Sequence, residues 1–137
     1  MNTAEKNKQF MKKYYREMLY AKNHKPEILD QTAHRFIKDQ KLIDHGNSLN
    51  KSFPGYSIIV KEMVAEGDRV FVLVDFIGSH EGTVEGIPAT GKKVQVPFAL
   101  CYTIRDEKIV DFQAIGNEME FFEQLGLSSE EVDLPKS

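Results

Sequence analysis

Six residues in this sequence join a usable functional group to a position that could employ it: Asp75, His45, Tyr102, Tyr56, Asn117 and Gln113. Asp75 interrupts the apolar run Val70-Phe71-Val72-Leu73-Val74-Asp75-Phe76-Ile77. Alternation puts it on the face of Phe71, Leu73 and Ile77. If that face lines a cavity, desolvation would raise its pKa and make it an acid/base catalyst; otherwise it is a carboxylate paired with a basic neighbour or facing water. His45 lies beside the apolar stripe of a helix, one residue from Gly46, and its imidazole suits proton transfer near neutral pH. The competing assignment is a rim or surface histidine.

Phe98, Leu100 and Tyr102 alternate on one β-like segment, and Gln113, Ile115 and Asn117 on another. Either set could line a pocket, the other forming a dimer face or lying under helices. Tyr56 and Tyr102 are core aromatics that can each present a hydroxyl. Asn117 precedes a short helical segment with Glu120 three residues on, a capping-box spacing, so it is either a helix cap or a ligand contact. Gln113 and Asn117 are the candidate polar anchors for a ligand.

The stretch Gly78–Gly91 holds four glycines, Pro88 and Thr90 between two apolar runs, and is expected to bend the chain from one strand to the next. It is no nucleotide loop, because its glycines miss the phosphate-loop spacing and Gly91-Lys92-Lys93 only echoes that motif. His80 within it is expected to hydrogen-bond loop backbone. His24, His34, His45 and His80 form neither a His-Glu-x-x-His pattern nor a Cys/His pair, so no metal site is expected. No Gly-x-Ser-x-Gly elbow is present, and no cofactor is called for.

The chain has 137 residues, enough for one buried core and too few for two ordinary domains, so a single domain over residues 1–137 is expected, its acidic end from 128 to 137 loosely held. Hydrophobic residues make up 41% and charged residues 28%, a globular composition without a membrane-length apolar run. The first residues are mixed in charge and carry no apolar segment, so no signal peptide is expected. Cys101 is the single cysteine and reads as a packed thiol. A cytoplasmic location follows as the expectation. The net charge of −3 and scattered lysines argue against nucleic acid as a partner.

These side chains need elements to hold them. Phe10, Tyr14 and Met18, shadowed by Met11, Tyr15 and Leu19, predict a long helix over 4–22, with Asn2 and Glu5 as its capping box. Pro26 opens a second helix burying Ile28, Leu29 and Phe36. A third covers 40–52, with Leu42, Gly46, Leu49 and Phe53 on one side, and Phe53-Pro54-Gly55 ends it. Strands follow over 56–65, 69–77, 93–104 and 108–115, with tight turns at Glu66-Gly67-Asp68 and Arg105-Asp106-Glu107. A last helix over 118–125 stops at Gly126. Helices first and antiparallel strands second define an α+β fold: a cone-shaped curved antiparallel sheet with the N-terminal helices over its concave face.

Phe53-Pro54-Gly55-Tyr56, Val64-Ala65-Glu66-Gly67-Asp68-Arg69-Val70, the glycine-rich stretch, Lys108-Ile109-Val110 and Glu123-Gln124-Leu125-Gly126 stand in an order and spacing that resembles the SnoaL-like polyketide cyclases of the nuclear-transport-factor-2-like superfamily. The resemblance implies a cone with an internal cavity, a small apolar molecule as ligand, and a cofactor-independent cyclase, isomerase or hydrolase using general acid/base chemistry. In those cyclases an acidic residue between the last strand and last helix serves an intramolecular aldol closure. Here that acid falls on Asn117, and the family's histidine on Phe112. A carboxamide cannot take up a proton near neutral pH, so the proton carriers would be Asp75 or His45. The alternative is a non-catalytic binding or homodimerisation module that kept the cavity and lost the acid.

Overall fold

A computed structural model of the protein describes residues 2–22, 26–84 and 86–126. The chain runs α1 (Thr3–Ala21), α2 (Pro26–Phe36), α3 (Gln40–Ser52), β1 (Ser57–Glu66), β2 (Arg69–Ser79), β3 (Lys93–Arg105), β4 (Lys108–Gly116) and α4 (Glu118–Gln124). The strands form one open antiparallel sheet in the order β1-β2-β3-β4, so the expected α+β architecture is the one found. The acidic segment 128–137 lies outside the described residues.

Local chemistry sets the element ends. Asn2 accepts the Glu5 N–H at 2.8 Å and caps α1. Asp39 does the same for α3 through Lys41 N–H at 2.9 Å. At the β3–β4 turn Asp106 and Glu107 both take positive φ, 51° and 58°, the primed geometry that matches the twist of a tight hairpin. Pairing shifts register between Val60 and Glu62 on β1 and between Thr103 and Ile104 on β3. Such bulges bend and twist the sheet locally.

One face of the sheet is apolar and covered. Val70, Val72, Val74 and Phe76 on β2 are buried, and the register sets Tyr102, Leu100, Phe98 and Val96 of β3 beside them. Met11 of α1, Ala33 and Phe36 of α2, and Ile43 of α3 complete a first core. Phe53, Phe76, Val94, Val96, Phe122 and Leu125 form a second, and Ile58 and Phe98 pack against both. Helix α2 is docked by its C-terminal half: Lys108 Nζ donates to the His34 and Arg35 carbonyls, and Lys38 N–H to Ile109 O at 3.0 Å. Ile28, in its first turn, therefore stays 36% exposed rather than buried as its spacing predicted.

The glycine-rich connection between β2 and β3 is a scaffold piece. Glu81 and Gly82 N–H donate to Ser52 O at 3.0 Å, and Ser52 Oγ donates to Thr83 O at 2.9 Å, fastening the loop to the end of α3. His80 is fully buried, stacked on Phe53, with its Nδ1 accepting from Thr90 N–H at 3.2 Å. A Cβ on Gly82 would stand 2.3 Å from the Lys51 carbonyl oxygen, a backbone atom that cannot swing aside. Gly82→Ala is accordingly expected to destabilise the fold by about 1–3 kcal/mol, read as a lower denaturation midpoint with an unchanged slope in urea; an unaltered midpoint would refute the close approach.

Candidate functional site

Pairing across the sheet fixes which side chains share a face. Beside the buried β2 positions, Leu100 pairs with Ala114 and Tyr102 with Phe112, so β4 turns Phe112 and Ala114 toward the helices. Ala114 is nonetheless exposed, as is Gly116 two residues on. The concave face is thus open to solvent along the second half of β4. Phe112 and Phe98, both half-buried, border this opening.

Next to this strand segment lies a run of aromatic contacts. The His45 ring is 6.2 Å from Phe112, Phe112 is 5.1 Å from Tyr102, and Tyr102 is 6.2 Å from Tyr15 and 6.3 Å from Tyr14. Tyr14 also meets Phe36 edge-on at 5.5 Å. Tyr15 donates to the Tyr102 hydroxyl oxygen at 2.9 Å. Tyr56 stacks on Phe76 at 5.3 Å, and Lys22 Nζ donates to its carbonyl oxygen. Burial pushes all four phenols above their ordinary range: it is the main cause at Tyr14, Tyr15, Tyr56 and Tyr102, and mutual repulsion between ionised phenols adds to it at Tyr14, Tyr15 and Tyr102. Near neutral pH they are hydrogen-bond donors and acceptors, not bases. Desolvation also lowers the Lys22 ammonium.

The half-buried Glu17 on α1 meets Arg35 through Oε1 at 3.3 Å, while its Oε2 is enclosed without a hydrogen-bond partner. Among the described residues the buried polar side chains are Thr32, Ser52 and His80, and no Asp, Glu, Lys or Arg is buried. Thr32 and Ser52 spend their hydroxyls on backbone carbonyls. Among the described residues no group of three or more His, Cys, Asp or Glu could hold a metal ion.

The six candidates therefore separate. Tyr102 is in the interior and His45 is exposed at its rim, over Phe112. Tyr56 is half-buried against the second core. Asp75 faces the other way: β2 turns Phe71, Leu73 and Asp75 to the outer face, where Asp75 pairs with Lys61 at 2.9 Å. Its carboxylate does not enter the aromatic interior, because the apolar partners across the register claim the opposite parity. Gln113 pairs with Cys101 on that outer face and is exposed. Asn117 is exposed at the N-terminus of α4, makes no side-chain cap bond, and donates from Nδ2 to Pro97 O at 3.0 Å, tying the helix start to β3. The residues missed in the sequence are Tyr14 and Tyr15. Their place on the apolar stripe of α1 made them look like packing alone, and only the fold brings Tyr15 to Tyr102, 87 residues away.

Two further depressions are open grooves. One, of about 440 Å³, is lined by Lys38, Asp39, Gln40 and Val110. The other, of about 190 Å³, lies on the sheet among Glu62, Val64, Phe71, Leu73 and Ala99.

Helices packed on one face of an open four-stranded antiparallel sheet define a class of small α+β proteins. The chain belongs to the SnoaL-like polyketide cyclase family, whose sequence model matches residues 18–125. Solved structures agree on the fold. A SnoaL-like protein from Jannaschia sp. CCS1 superposes with a TM-score of 0.75 at 16% identity, over 91% of this chain and 94% of that one. A SnoaL-like polyketide cyclase from Agrobacterium tumefaciens gives 0.73 at 14% identity, over 92% and 100%. AclR, a candidate hydroxylase from Streptomyces galilaeus, gives 0.68 at 20% identity, over 90% and 98%. No curated protein matches the sequence significantly. Among the described residues no helix is long and apolar enough to cross a membrane.

The buried phenols make stability fall on the alkaline side. In the unfolded chain they ionise near pH 10, whereas the folded protein keeps them protonated to higher pH. The native state then binds more protons, so the phenols' contribution to the unfolding free energy is constant below about pH 9 and declines as pH rises above 10. Urea denaturation between pH 8 and 11.5 is expected to show this decline, with a shallower slope for Tyr15→Phe and Tyr102→Phe. A profile identical in the variants would contradict the assignment.

Proposed function

We propose that this protein binds a small apolar molecule in the interior between α1, α3 and the concave face of the sheet, entering past Ala114. There it acts as a cofactor-independent acid/base enzyme of the cyclase, isomerase or hydrolase kind. The observation that carries this reading is the combination at one place of an uncovered inner strand segment, clustered aromatic rings and buried hydroxyls. Concave, largely apolar sites with a few convergent polar groups are the usual form of a small-molecule site. Family membership supports the chemistry as an analogy of fold.

In this reading His45 at the rim is the proton carrier, and Tyr102 holds an oxygen of the ligand. Asp75, on the outer face with Lys61, has no part in proton transfer. Asn117 and Gln113 serve the scaffold and the outer face instead of the ligand. The fold neighbours include both a cyclase and a candidate hydroxylase, so the reaction type follows from the ligand rather than from the fold.

A second copy of the chain is the proposed partner for the outer face. Leu73, Ala99 and Ile115 share one row across it, and Val64, Phe71 and Cys101 the next. Val64, Phe71, Leu73 and Ile115 are exposed by 52, 40, 41 and 53%. An apolar centre rimmed by Glu62, Arg69, Gln113 and the Lys61–Asp75 pair has the layout of a twofold interface.

Native mass spectrometry of freshly purified protein tests both statements. The wild type is expected to be a dimer that carries an apolar compound in each subunit. Ala114→Trp, which fills an exposed position at the opening, is expected to lose the compound and remain a dimer. Leu73→Glu is expected to be a monomer that keeps it. Retention of the compound by the Trp variant, or a dimer with glutamate at position 73, would refute the respective proposal.

A further inference from the structure

Positive charge is concentrated on α1. Residues 3–22 hold six of the 18 Lys and Arg residues but two of the 21 Asp and Glu residues. The segment therefore carries +4 in a chain whose net charge is −3, which leaves −7 on the other residues. Phe10, Met11, Tyr14 and Met18 turn one side of the helix into the core. At 3.6 residues per turn, Lys6, Lys12, Lys13 and Arg16 fall within about a third of the circumference on the opposite side. All four are exposed. They stand in two rows, Lys6 with Lys13 and Lys12 with Arg16, along about 15 Å of helix. Among the described residues none of the four is in an ion pair. Of the two acids, Glu17 turns to Arg35 at 3.3 Å and Glu5 lies in the first turn.

We propose that this outward face of α1 docks an acidic helix of a partner protein, whose carboxylates, four residues apart along one side, meet the two cationic rows. Charge complementarity selects that partner. Four separated cations on a convex surface suit an extended polyanion, whereas a small anion needs an enclosing site. A lipid surface fits less well, because the apolar stripe that an interfacial helix inserts is already packed in the core. Nucleic acid also fits less well, because the acidic remainder of the chain repels a long phosphate backbone. Exposed ion pairs are individually weak and screened by salt, so the contact is reversible and weakens with ionic strength. Helix α1 lies on the inner side of the sheet, and a partner there leaves the outer face open to a second copy. The proposal is independent of what the interior binds.

The test uses the full chain and a fluorescein-labelled helical peptide of Glu-Ala-Ala-Ala repeats, followed by anisotropy at about 20 mM salt. Carbodiimide coupling joins a carboxylate to an amine as an amide, the carbodiimide taking up the water. It is expected to link the peptide to Lys6, Lys12 or Lys13. Lys12→Glu with Arg16→Glu is expected to weaken binding about tenfold. Lys38→Glu with Lys41→Glu makes the same change of net charge elsewhere and is expected to weaken it no more than about twofold. These are surface changes, and circular dichroism is expected to show unchanged helix content. Equal weakening in the two variants, cross-links only at other lysines, or no binding by the wild type would overturn the assignment to α1. Equal affinity for a proline-interrupted peptide of the same charge would overturn the acidic helix. Binding of phosphatidylcholine vesicles with about 30% phosphatidylserine in place of the peptide would make the face a lipid surface and refute a protein partner. If Glu130→Gln, Glu131→Gln and Asp133→Asn together strengthen peptide binding about tenfold, the occupant is the chain's own acidic end and the proposal fails.

Discussion

Strict alternation along β2 is the constraint on which the rest of the molecule depends. It is a central strand, paired over its whole length with β3 on one side and from Arg69 to Ile77 with β1 on the other. Val70, Val72, Val74 and Phe76 therefore commit one face of the sheet to the helices, and Phe71, Leu73 and Asp75 commit the other to the outside. A one-residue slip would bring Asp75 into the core and expel four apolar side chains, a cost of several kcal/mol from the lost burial alone. The partner strands inherit this parity. Tyr102 goes in with Val70, Ala114 with Leu100, and Gln113 goes out with Cys101.

The same constraint decides where chemistry can occur. A carboxylate on the inner face would have been a buried, unpaired charge; on the outer face Asp75 has Lys61 and water. The interior is left with phenols. These hydroxyls stay protonated near neutral pH because burial opposes their ionisation, and they can orient an oxygen without bringing charge into a low-dielectric space. His45 is exposed at the rim beside Phe112, where the proposed proton exchange with solvent would take place. Such a division, donors inside and an exchangeable base outside, can persist where the family's acid position holds Asn117.

Most of the fold was legible in the sequence because it rests on periodicity. The apolar stripe of Phe10, Tyr14 and Met18, the alternation of β2, and the proline and glycine at 54 and 55 are local signals with local causes. The site was less legible because it rests on long-range pairing. Alternation grouped Gln113 with Asn117 and Phe98 with Tyr102, but it cannot say which group faces inward; that is settled by which strand carries the larger apolar set next to β2. Asp75 was a reasonable acid/base candidate on desolvation grounds, and the parity of its neighbours removed those grounds. Tyr15 gave no sign at all, since a tyrosine on an amphipathic helix looks like core until its partner across the fold is known. Asn117 sits where a cap was expected, yet its amide is spent on the Pro97 carbonyl.

The central claim is that ligands meet this protein at the phenols of its concave face and not at the carboxylate of its outer face. The most direct measurement is ¹³C NMR of protein labelled at the tyrosine Cζ and aspartate Cγ carbons, titrated with 2-acetylnaphthalene. The account predicts saturable shifts at Tyr15 and Tyr102 with the Asp75 carboxyl resonance unmoved. Shifts at Asp75 with silent Tyr15 and Tyr102 resonances would contradict it.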